Sequence, residues 1–130
     1  MKLALAAPFL FSAAAGLAYV APPEGDPERG RIAFQKCHAC HDLAPGEDVS
    51  GPSLHAIVGR PVAARPGYDY SAALETLAVR EPKWTEELMD RFIADPEAVA
   101  PGTSMTFTGM RDPKERADLI DYLRTADARP

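Results

Sequence analysis

Cys37-His38-Ala39-Cys40-His41 sets two thiols three positions apart and an imidazole directly after the second. Two residues between the cysteines let both sulfurs reach the two vinyl groups on one edge of a porphyrin. The next side chain is then placed to meet the iron, which makes the stretch an attachment signature for a c-type haem. Competing uses of Cys-x-x-Cys fit less well. A structural zinc site needs four ligands, usually a second cysteine pair, and the chain has two cysteines in all. A thioredoxin-like redox pair belongs beside a βαβ pattern, and none is visible.

Upstream, Asp26-Pro27-Glu28 supplies an N-cap, a proline at the first helical position and an acid in the first turn, so a helix is expected from Pro27 to about Lys36. Its apolar face would be Ile32, Ala33 and Phe34. Gly30 is costly inside a helix unless another backbone comes close. Downstream, Asp42 to Gly67 is punctuated by Pro45-Gly46, Gly51-Pro52, Gly59-Arg60-Pro61 and Pro66-Gly67, and predicts a long loop. So long an irregular stretch in a small domain needs something solid beneath it, which a haem face would provide. Ser71 caps a short helix through Leu77, and Thr85-Glu86-Glu87 opens another through about Ala94, stopped at Asp95-Pro96. Asp112-Pro113-Lys114-Glu115 opens a last one to about Thr125, with Leu119, Tyr122 and Leu123 on its inner face and Ile120 at the margin. No stretch alternates as a strand would, so the fold class is all-α: four to five short helices in one small domain wrapped around one haem.

Residues 1–20 open with Met1-Lys2 and continue apolar from Leu3 to Val20, which reads as a signal peptide; an uncleaved anchor over residues 3–20 is the alternative. Cleavage near Gly16-Leu17-Ala18 or Ala13-Ala14-Ala15 would leave a mature domain, 21–130, of about 110 residues. Export places the protein in the periplasm. The whole chain has 19 acidic and 14 basic residues, net −5, and without Lys2 the balance is 13 to 19, net −6. That makes nucleic acid an improbable partner.

His41 would fill one axial position of the iron. For the other, the chain offers Met89, Met105, Met110, His38 and His55. Met89 falls mid-helix on an apolar stripe, where methionine usually fills core. Met105 ends the turn Pro101-Gly102-Thr103-Ser104-Met105, and loops present ligands more readily than core helices do. Met110, in the same loop, is the second choice, His55 the third, and His38 is expected to face solvent.

These residues resemble class I cytochrome c, in particular the exported bacterial cytochrome c2 type that is similar to mitochondrial cytochrome c. The likeness covers Gly25 to Arg129. It is carried by Gly30 and Phe34 before the attachment motif, Gly51-Pro52-Ser53-Leu54-His55, Val58-Gly59-Arg60, Pro66-Gly67-Tyr68-Asp69-Tyr70-Ser71, Lys83-Trp84, the Met105 turn, and Asp118-Leu119-Ile120-Asp121-Tyr122-Leu123. The resemblance implies thioethers from Cys37 and Cys40, iron ligation by His41 and Met105, and a Pro52 carbonyl that accepts the second imidazole N–H of His41. It further implies that Arg60, Tyr70 and Trp84 are hydrogen-bond partners of the haem propionates, and that Gly30 and Tyr122 mark a crossing of the first and last helices. The plainer readings are core packing for Trp84 and Tyr122 and a solvated charge for Arg60. Two positions depart from the pattern: Phe92 stands where many relatives carry tyrosine, and Ser104 where many carry lysine.

Ligation by His and Met saturates the iron, which favours a one-electron carrier over an enzyme. The implied partners are a quinol-oxidising complex of the cytochrome bc1 type or a dehydrogenase as donor, and a terminal oxidase or photosynthetic reaction centre as acceptor, met transiently by a monomer. Docking is expected at the haem edge near Lys36, Phe107 and Ala39. Beyond Lys2 the chain has only Lys36, Lys83 and Lys114, so electrostatic steering would need a local patch. Two alternatives are a peroxide- or gas-reactive haem with a labile Met105, and a membrane-tethered carrier.

Overall fold

A computed structural model describes residues 23–126. The expected signal or anchor lies outside the described residues. The helices are α1 (Pro27–Ala33), α2 (Gln35–His38), α3 (Ala72–Arg80), α4 (Glu86–Ala94), α5 (Pro96–Val99) and α6 (Pro113–Ala126). Among the described residues there is no strand, only isolated bridges between His41 and Asp48 and between Pro61 and Lys83. The fold is all-α.

Asp26 caps α1 through its carboxylate, which accepts the amides of Glu28 and Arg29 at 2.9 and 3.0 Å. The expected single helix is split at Phe34, but Phe34 keeps right-handed helical angles (φ −59, ψ −21), so α1 and α2 form a nearly continuous rod that ends at the haem motif. Ile32 does not belong to the inner face; it is 64% exposed. Gly30, Ala33, Phe34 and Cys37 follow the i, i+3, i+4, i+7 stripe instead, and Ile32 projects from the opposite side.

The Ser71 helix runs three residues past Leu77, to Arg80. Nothing breaks it before Glu81, which precedes Pro82 and is therefore pushed out of the helical region. At Asp95-Pro96 one dipeptide does two jobs. Asp95, extended at φ −158 and ψ 91, ends α4, and its carboxylate accepts the Ala98 amide at 3.0 Å to start α5, a turn that the sequence pattern did not reveal. Asp112 caps α6 by accepting the Lys114 amide at 2.9 Å. Glu115, the acid at the third helical position, turns across to the Lys36 ammonium at 2.5 Å.

The core is the contact of α1 with α6, joined by α4. A Cβ on Gly30 would stand 1.9 Å from the Asp118 carbonyl oxygen, so only glycine lets these backbones meet. Phe34 packs on Tyr122 with ring centroids 5.6 Å apart, and Leu88, Leu119 and Leu123 are buried behind them. Asp118 is also buried. Its carboxylate receives Arg29 Nε at 2.8 Å and Nη2 at 3.0 Å, Lys114 Nζ at 3.1 Å and the Asp26 amide at 2.8 Å.

Candidate haem site

The carboxyl end of the α1–α2 rod opens onto a cavity of about 330 Å³. Cys37, Cys40 and His41 form one wall and the loop through Pro52 and Ile57 a second; α4 contributes Met89, Phe92 and Ile93, and the 103–106 segment closes the far side. Leu119 and Leu123 of α6 form the back, which ties the cavity to the helix crossing.

His41 is held more tightly than its sequence position suggests. Its Nδ1 lies 2.7 Å from the Pro52 carbonyl oxygen. A carbonyl can only accept, so Nδ1 carries the proton and Nε2 keeps its lone pair. Burial pushes the imidazole below its ordinary pKa against the opposing pull of that hydrogen bond, with the Arg60 charge adding to the depression, and the neutral form is favoured. Gly51 lies flat against the same ring: a Cβ there would meet His41 Cε1 at 2.4 Å and Nδ1 at 2.7 Å. The Gly51 amide is in turn anchored on the Cys40 carbonyl at 2.7 Å. Sequence reasoning did not assign Gly51 this role; Gly51-Pro52 looked like loop punctuation.

The two thiols are not joined in a disulfide. Burial pushes the Cys37 thiol up to about 11, so at neutral pH it is protonated, a poor metal-binding thiolate.

All eight residues singled out from sequence, Cys37, Cys40, His41, Pro52, Arg60, Tyr70, Trp84 and Met105, border this one cavity. Of the other ligand candidates only Met89 reaches it. Met110 is 2% exposed and packed in the core, its amide bonded to the Ile93 carbonyl at 2.9 Å. His55 Nδ1 lies 3.2 Å from the Leu43 carbonyl, and His38 is exposed beside the Phe34 ring. Arg60 is no simple surface charge. Its Nη1 donates to the carbonyls of Ser53 and His55 at 2.8 and 2.9 Å and folds the long loop over the cavity. Trp84 is braced edge-on by Phe92, centroids 5.0 Å apart, and exchanges backbone hydrogen bonds with Gly59 and Arg60. Tyr70 Oη accepts the Arg65 amide at 3.1 Å.

A concave, mostly apolar cavity with one oriented neutral imidazole, two thiols at its edge and a few polar groups on one side fits a covalently held haem. The sequence profile of the cytochrome c family matches residues 27–127. The chain belongs to the cytochrome c family. It is 41% identical to a cytochrome c2 of Rhodopila globiformis over 104 residues, 79% of this chain and 95% of that one. It is 37% identical to a cytochrome c2 of Rhodomicrobium vannielii over 102 residues, 78% of this chain and 79% of that one. Among solved structures, cytochrome cH from Methylobacterium extorquens gives a TM-score of 0.71 at 36% identity, covering 78% of this chain and 99% of the other. Cytochrome c2 from Rhodospirillum centenum gives 0.71 at 30% identity, covering 78% and 98%. This cytochrome c binds one c-type haem covalently through Cys37 and Cys40, and it is an electron carrier of the cytochrome c2 kind. When bound, the haem supplies a one-electron iron couple. Leu119, Leu123, Ile57 and Phe92, which line the cavity, would exclude water from it, and the Pro52 carbonyl and burial hold the His41 imidazole oriented and favour its neutral form.

Proposed function

We propose that this cytochrome c is a periplasmic carrier whose iron is ligated by His41 Nε2 and the Met105 sulfur, and which moves single electrons from a quinol-oxidising complex or dehydrogenase to a terminal oxidase or photosynthetic reaction centre. One observation carries the reading: the 2.7 Å contact of His41 Nδ1 with Pro52, which fixes the ring and leaves Nε2 as the nitrogen open to a metal. Such a hydrogen bond also makes the imidazole a stronger donor. Met105 is the methionine chosen, because it is carried by a loop on the cavity, whereas Met89 is committed to the packed face of α4. A thioether opposite an imidazole leaves no open position for oxygen or peroxide and raises the reduction potential. Arg60, Tyr70 and Trp84 share the cavity wall and would offset the cost of bringing two propionates out of water.

The test is a redox titration of the purified holoprotein with absorption spectra recorded throughout. A carrier gives low-spin iron, a sulfur-to-iron charge-transfer band in the ferric state and no carbon monoxide binding near neutral pH. High-spin iron in the resting protein would replace this reading with a peroxide- or gas-reactive haem. Mass spectrometry of protein from native membranes and from the periplasmic fraction separates a cleaved N-terminus near Tyr19 from a retained anchor.

A further inference from the structure

The loop that carries Met105 is fastened in two unequal ways. At its far end the anchors are extensive: the Met110 amide bonds to the Ile93 carbonyl at 2.9 Å, Gly109 presses on the Ala94 carbonyl, and Arg116 Nη1 holds the carbonyls of Met110 and Arg111, each at 2.9 Å. At its near end the chain turns through Gly102 at φ +85, and a Cβ there would find nothing within 4 Å, so the space outside Gly102 itself is open. Hydrogen bonds hold this side of the turn. The Glu97 carboxylate accepts the Gly102 N–H with both oxygens, at 3.0 and 3.2 Å, while the Thr103 amide bonds to the Ala100 carbonyl at 3.0 Å and the Met105 amide to Thr103 Oγ1 at 3.2 Å.

Glu97 sits on α5, whose position is set by the Asp95 cap and by the buried Pro96. The carboxylate is therefore held on a fixed element and aimed at the backbone three residues before the sulfur. An ionised acceptor makes a stronger bond to an amide than a neutral one does. With the space outside Gly102 open, that bond restrains how far the turn, and Met105 with it, moves from its place. We propose that Glu97 is a positioning residue: through the Gly102 amide it holds the 101–103 turn so that the Met105 sulfur stays at the cavity. The inference rests on Met105 being the iron ligand.

Exogenous imidazole competes with the methionine sulfur for ferric iron, so titrating it into the holoprotein while following the charge-transfer band reads how readily Met105 lets go. Glu97→Ala is expected to raise the apparent imidazole affinity about five- to tenfold, the equivalent of one net hydrogen bond. Glu97→Gln, which keeps a neutral acceptor, should fall between Glu97→Ala and the unsubstituted protein, and Glu75→Ala, at an exposed acid on α3, should leave the affinity unchanged. Imidazole affinity in both Glu97 variants within twofold of the parent overturns the inference, whatever happens to the denaturation midpoint. Absence of the charge-transfer band from the parent protein overturns the ligation reading first and this inference with it.

Discussion

At the scale of single residues, the site depends on two small decisions that side-chain chemistry alone does not disclose. Gly51 is one. Because a Cβ there would sit 2.4 Å from the His41 ring, Gly51→Ala must displace the imidazole or the loop, and overpacking of this kind costs about 1–3 kcal/mol. The expected outcome is a reduced yield of holoprotein with a mixed-spin spectrum, measured by haem-stained gel and absorption. The choice of sulfur is the other. Met105→Ala should abolish the charge-transfer band and lower the potential. Met110→Ala should keep the band but lose about 2–5 kcal/mol of stability in a denaturant titration, since Met110 is buried away from the cavity. Loss of the band in the Met110 variant would mean the wrong methionine was assigned.

At the scale of elements, the α1–α6 crossing is locked by a charge that the sequence did not mark. In the sequence Asp118 stands only as the first residue of the Asp118-to-Leu123 stretch that carries the family likeness, with no role of its own. In the fold it is buried under the Arg29 guanidinium, with Lys114 and the Asp26 amide completing its shell. The Arg29 hydrogen bonds, then those of Lys114 and the Asp26 amide, hold its carboxyl well below the usual carboxylate range, against the opposing effect of burial. A depressed carboxyl means the unfolded chain takes up a proton before the folded one does. The contribution is therefore complete above the ordinary value of 3.8 and is lost as pH falls below it toward the folded value. Asp118→Asn should cost about 2–3 kcal/mol at pH 7 and flatten the acid limb of the stability profile, as followed by urea denaturation between about pH 2 and 7. Gly30→Ala should be harsher, because backbone cannot step aside as a flexible side chain can: a contact of 1.9 Å has to be relieved by separating the helices. The melting temperature should fall further than for Asp118→Asn.

At the scale of the whole molecule, the haem cavity and the core share walls. Leu119 and Leu123 face the cavity from the same helix that packs on α1, and Leu74, Trp84 and Phe92 are buried residues that also line it. A domain of this size has little apolar interior to spare. Cys37→Ala with Cys40→Ala, made so that no haem is retained, should abolish cooperative thermal unfolding by circular dichroism; retention of a sharp transition would show that protein packing suffices. The charge picture also changes at this scale. Lys36 is paired with Glu115, and Lys114 is drawn onto Asp118, so two of the three lysines of residues 23–126 are engaged within the fold and the Lys36 charge at the expected docking edge is already partly neutralised. The sequence by itself determined the attachment motif, the helix starts at Asp26, Ser71, Thr85 and Asp112, the stop at Asp95-Pro96, and the all-α class, because these are settled between residues a few positions apart: a thiol spacing, an Asp, Ser or Thr before its own amides, a proline that ends a turn. The tertiary structure alone decided that Gly51 must make room for His41, that Met110 belongs to the core while Met105 and Met89 face the cavity, and that Asp118 is a buried counter-ion. Those outcomes turn on which surfaces meet after the chain closes, across separations as long as the 89 residues between Arg29 and Asp118, where no local spacing rule reaches.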